Sequence, residues 1–205
     1  MRPTSKTYTI IAADADGICQ SQTPLAAGAL TINGALSSGG TVTLDTAQHV
    51  SVDCAGADSG RTFTVTGTDW LGAALTEDIA GAATGQTKGT KNFKTITSVT
   101  VDAATAGAIT IGILGELETP WIPLDHYVNP FQYTYSVNIG TATFTVEGTL
   151  SDIQDSSVTP VTFTVEASGS SDVTSNKTAI CRAIRCKVTA YTSGNLEFLV
   201  MQPGF

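Results

Sequence analysis

Residues 62–68 read Thr62-Phe63-Thr64-Val65-Thr66-Gly67-Thr68, with Phe63 and Val65 on one side of an extended chain and Thr62, Thr64 and Thr66 on the other. A period of two marks a strand with one buried and one solvated face. The tetrapeptide Thr-Phe-Thr-Val returns at Thr143 and Thr162. At Thr62 and Thr143 it runs on into a Gly-Thr pair, read as a turn. The recurrence is read as shared strand-and-turn chemistry, not as duplication.

Outward from this stretch, further alternating runs cover 6–12, 29–33, 41–44, 50–54, 62–66, 74–79, 93–101 and 108–114, separated by Gly, Asn, Asp and Ser. The alternation stops at Thr119-Pro120-Trp121-Ile122-Pro123-Leu124, where two prolines remove donors and favour an extended connection. Beyond it lie runs 131–138, 141–148, 161–167, 180–191 and 196–201. The last two are joined by Thr192-Ser193-Gly194-Asn195 and read as a β-hairpin, with Ile184, Cys186, Val188 and Ala190 answered by Leu196, Phe198 and Val200. No helical-period stretch of a dozen residues occurs. The expectation is an all-β chain of two tandem antiparallel β-sandwich or jelly-roll-like domains: 1–118, a Pro-rich linker 119–126, and 127–205.

Composition agrees. Of 205 residues, 41% are apolar and 14% charged, the latter well under the roughly 25% of a typical soluble domain. Thr, Ser, Ala and Gly fill the difference and suit pleated strands and tight turns. The net charge is −8, from 18 carboxylates against 10 Lys and Arg, so the cationic excess that nucleic-acid binding draws upon is missing. No apolar run reaches the roughly 18 residues of a membrane span, and Met1-Arg2-Pro3-Thr4-Ser5-Lys6 leads into alternation instead of a signal-type run. A soluble protein made in a cytoplasm is expected. Cys19, Cys54, Cys181 and Cys186 form no CxxC pair and are expected to be reduced core thiols.

Catalytic chemistry has few places to sit. The two histidines, His49 and His126, lie in no recognisable motif and are expected at the surface or an interface. No Gly-x-Ser-x-Gly elbow, phosphate loop or His-Glu-x-x-His is present. Asp14-Ala15-Asp16-Gly17 opens like a calcium loop, but Ile18 stands where a third ligand belongs and no Glu follows at the twelfth position, so a turn is expected. Asp152 and Asp155 are likewise expected in a turn. Trp70 and Trp121 leave a sugar platform conceivable, and Asn176-Lys177-Thr178 matches a glycosylation acceptor without a secretory signal. No catalytic residue, cofactor or metal ligand is assigned.

Two stretches carry a resemblance. Residues 141–153, with 182–194 and the ending Leu199-Val200-Met201-Gln202-Pro203-Gly204, resemble a small β domain of tailed-bacteriophage structural proteins, over roughly 127–205. Residues 62–81, with Lys91-Asn92-Phe93-Lys94-Thr95-Ile96 and the alternation to Ile113, are similar to β modules that also recur in phage virions. Cys181 and Cys186, where apolar residues are expected, and the short polar loop 168–177 depart from the pattern. The resemblance implies a non-catalytic virion protein, first a capsid decoration or cement protein on the outer shell, second a tail, neck or head-fibre component, third a host-glycan-binding module. Its partners would be the major capsid protein or neck and tail proteins and further copies of itself, with no nucleic acid and no membrane.

Overall fold

The computed structural model describes residues 4–127, 129–154 and 159–202. It is all-β: fifteen strands, every mapped pairing antiparallel, and no helix among the described residues. The expected sandwich-type class stands.

The chain divides into two compact units, one continuous (Ile11–Leu117) and one discontinuous (Met1–Ile10 with Glu118–Phe205). The expected tandem partition at 1–118 and 127–205 is therefore corrected. The first strand, β1 (Thr4–Thr9), pairs with the last, β15 (Ala183–Met201), from Thr4↔Val200 to Thr9↔Asn195. Local alternation announces a strand but carries no information about a partner this distant in sequence. Residues 119–126 are no free linker either. Thr119 N donates to Cys186 O (2.8 Å), Thr119 Oγ1 accepts from Cys186 N (3.0 Å), and Leu124 N donates to Arg182 O (2.7 Å). Ile122 and Pro123 pair with Ile184 and Ala183. Pro is tolerated there because short outer strands can leave a donor position empty.

The continuous unit holds β2 (Asp14–Gln22), β3 (Gly28–Ala29), β4 (Ser37–Ser38), β5 (Thr41–Cys54), β6 (Thr62–Thr68), β7 (Ala74–Ala80), β8 (Gly85–Val101) and β9 (Ile109–Ile113). Its sheet runs β2-β9-β5-β8-β6-β7, with β3 on β8 and β4 on β5. Ile18, Val42, Val50, Val52, Phe63, Val65, Phe93, Ile96, Ile109, Ile111 and Ile113 belong to one buried cluster. The separate runs 41–44 and 50–54 are one strand, β5. Its alternation vanishes because everything from Thr46 to Val52 is buried, and a strand covered on both faces shows no period. Gln48 is hidden there with its side-chain amide bonded to both N and O of Ile11, at 3.2 and 2.9 Å.

The discontinuous unit adds β10 (Leu117–Glu118), β11 (Ile122–Pro123), β12 (Tyr133–Thr149), β13 (Thr162–Gly169) and β14 (Val173–Lys177), in the order β1-β15-β12-β13, with β10 and β11 on β15 and β14 on β12. The expected C-terminal hairpin is absent: residues 183–201 form one strand, paired along its length with β12. Thr192–Asn195 stays within that strand, with Gly194 at φ 98° and register shifts in the ladder near Thr141. Runs 131–138 and 141–148 likewise merge into β12, and part of the polar loop 168–177 is strand β14. Neither Gly-Thr pair is a turn. Gly67 lies at a bulge where a β-carbon would stand 1.8 Å from Thr95 O, and Gly148 lies beneath the Phe163 ring.

Candidate functional site

His49 corrects its surface expectation. It lies on β5 at 5% exposure, with Nδ1 3.9 Å from Glu116 Oε2, which also takes Lys88 Nζ at 2.8 Å. His126 is half-buried in a turn, its ring 4.1 Å from that of Tyr127.

Asp14 opens β2 and accepts Asp16 N at 3.3 Å, so the segment expected as a turn lies in a strand. Asp152 accepts Gln154 N (3.0 Å) and pairs with Arg182 (3.4 Å), while Asp155 lies outside the described residues. Among the described residues no three His, Cys, Asp or Glu converge as metal ligands. Trp70 sits in the β6–β7 turn, which Asp69 organises by accepting Leu71 N and Ala73 N at 2.8 and 2.9 Å. Trp121 carries the Arg185 guanidinium 4.5 Å above its ring, so a sugar would have to displace a cation. Asn176 lies on β14 opposite Thr134. All four cysteines are buried thiols, and desolvation pushes Cys19 and Cys186 up to about 12.

Charged groups serve the sheets. Arg185 bridges Glu118 and Glu147 at 2.5 and 2.7 Å, and Lys187 joins Glu118 at 2.8 Å, tying β10, β12 and β15 together. Tyr135 donates to Glu166 at 2.5 Å and Lys177 reaches the same oxygen at 3.2 Å. The Tyr135 hydrogen bond, and after it the Lys177 ammonium, hold the Glu166 carboxyl below its ordinary value against the opposing effect of burial. Sequence reasoning missed Glu77, which is 8% exposed and accepts Thr90 N (2.6 Å), Thr90 Oγ1 (2.9 Å) and Lys91 N (3.3 Å), where the β5–β8 ladder slips. The signal was legible: in the β7 run Leu75, Glu77 and Ile79 share one face, so an acid occupies an apolar phase. Asp58, fully buried, was missed as well; its Oδ1 accepts Ala106 N at 2.6 Å and ties two loops together.

Two surfaces remain. On the continuous unit, Thr62, Thr64, Thr66 and Thr68 face Ala80, Asp78, Thr76 and Ala74 on β7, and Thr64, Thr66 and Thr68 face Thr100, Ser98 and Thr95 on β8. Their hydroxyls bond within the sheet: Thr68 Oγ1 to Thr95 Oγ1 at 2.7 Å, and Thr64 Oγ1 to Asp78 Oδ1 at 2.6 Å. On the discontinuous unit, β13 ends the main strand path, and none of its residues is buried. At the Thr149↔Thr162 pair the sequence neighbours Leu150 (59% exposed), Val161 (76%) and Phe163 (37%) are exposed. An uncovered edge strand presents a row of backbone donors and acceptors, and apolar side chains around it cost free energy in water. This arrangement can bind a strand or an apolar surface. No family model matches the chain, and no curated protein or solved structure compared with it matches either.

Proposed function

We propose that the chain is a non-catalytic structural subunit of a tailed-phage virion, a capsid decoration protein that binds the outer shell and stabilises the particle. The observation that carries the assembly part of this reading is the β13 edge with the exposed Leu150, Val161 and Phe163 at its Thr149↔Thr162 end. Strand edges of this kind are normally covered by a partner or blunted by Lys or Pro, and residues 162–169 contain neither. Low charge density supports wide contacts, because few ionic groups lose water on docking. The acidic balance suits the outside of a DNA-filled shell. The virion assignment rests on the resemblance of 127–205 and 62–113 to phage β modules.

The test is to make particles lacking the chain, follow DNA release on heating, and add the purified protein back. Early release that reverses on addition is expected. Unchanged release, or particles that never acquire a tail, would exclude decoration, and the tailless outcome would move the chain to the neck or tail.

A further inference from the structure

β1 is held in its unit by little side-chain burial. Of Thr4–Thr9 only Tyr8 is buried, at 3% exposure. Tyr8 also shares a side-chain hydrogen bond with Thr119, and β1 is further held by the ladder from Thr4↔Val200 to Thr9↔Asn195 and by a hydrogen bond from Ser5 Oγ to Glu197 Oε1 at 3.1 Å. A backbone ladder is indifferent to which chain supplies the strand.

One feature of the chain path loosens the tie between β1 and its own β15. The exit from β1 is short. Thr9 makes the last ladder pair, and Ile11 is already clamped to Gln48 through both its N and its O. A short hinge between a strand and a separately folded body favours exchange of that strand between copies.

We propose that the β15 edge at Asn195–Val200 accepts β1 of a second copy, so that chains join by exchanging this strand. The contacts made are those seen within one chain, so exchange costs only the hinge rearrangement and the entropy of association. That entropy cost falls when copies are held at high local concentration, as on an assembling surface. The inference does not depend on the virion assignment, and its test uses the purified chain alone.

Thr7 and Glu197 are exposed and lie opposite each other in the ladder. Thr7→Cys and Glu197→Cys chains are made separately, mixed, equilibrated at high concentration and oxidised; the native thiols are buried and stay out of the reaction. The expected result is a covalent dimer in the mixture about tenfold above either variant alone, the margin that templated pairing gives over collision. A mixture no different from the single variants, while the Thr7→Cys/Glu197→Cys chain closes on itself, would overturn the proposal. Failure of that double variant to close would remove the ladder on which it rests and overturn it equally.

Discussion

Gly140 and Gly194 meet across the β12–β15 ladder so closely that a β-carbon on Gly194 would stand 2.7 Å from Gly140 Cα, and one on Gly140 2.2 Å from Ser193 O. Gly194 also has φ 98°, which side chains rarely adopt. The β12–β15 register shifts at this point, so the two positions sit where the ladder is irregular. Gly194→Ala is expected to lower stability by about 1–3 kcal/mol from backbone strain, with Gly140→Ala comparable through the clash. Urea unfolding should show a lower midpoint at unchanged slope. A variant as stable as the parent would mean that this irregular stretch of the ladder does not need these glycines.

Glu77 supplies acceptors to the amides that the β8 bulge takes out of the ladder. Glu77→Ala leaves Thr90 N and Lys91 N without them and is expected to cost about 1–3 kcal/mol. Glu77→Gln keeps one carbonyl oxygen and should cost less. Equal losses in the two variants would show that both carboxylate oxygens are required and that one carbonyl oxygen with the methylenes does not replace them.

Glu166 gives the discontinuous unit an acid-sensitive bond. Its folded pKa lies below the ordinary 4.5, so the stability that its ion contributes is complete above 4.5 and lost as pH falls through the lower folded value. Thermal unfolding from pH 6 down to pH 3 should therefore fall more steeply for the parent than for Tyr135→Phe, which lacks the hydrogen bond. Parallel curves would contradict the assignment.

Buried thiols with raised pKa react slowly. Cys19 and Cys186 are expected to resist thiol reagents in the native protein and to label rapidly in denaturant. Cys186→Ser places a hydroxyl in the core and should cost on the order of 1–3 kcal/mol. A melting temperature that drops on adding reductant would reveal a disulfide instead.

Strand chemistry was plain in the sequence wherever one face is wet. Residues 62–66, 74–79 and 108–114 match β6, β7 and β9 to within two residues at each end. It failed where both faces are covered, as at Thr46–Val52, and where a turn signal was a bulge signal. Ser193-Gly194-Asn195 serves either purpose, and the inward residues 184, 186, 188, 196, 198 and 200 keep one parity in both readings. Deciding between them needs the partner strand, which is a long-range fact. The exposed edge was unreadable for the same reason: Val161, Phe163 and Val165 alternate like any core strand, and among the described residues no strand pairs with β13 on its far side, which leaves Val161 and Phe163 exposed.

The assembly reading turns on whether that edge is covered in the working particle. Amide hydrogen exchange of residues 162–169 in the free chain and in the assembled particle measures this directly. The account predicts fast exchange in the free chain at the amides β12 does not bond, and strong protection after assembly, with Phe163→Lys abolishing both the protection and the binding. Exchange at 162–169 that is the same in the two states, in a particle that retains the protein, would contradict it.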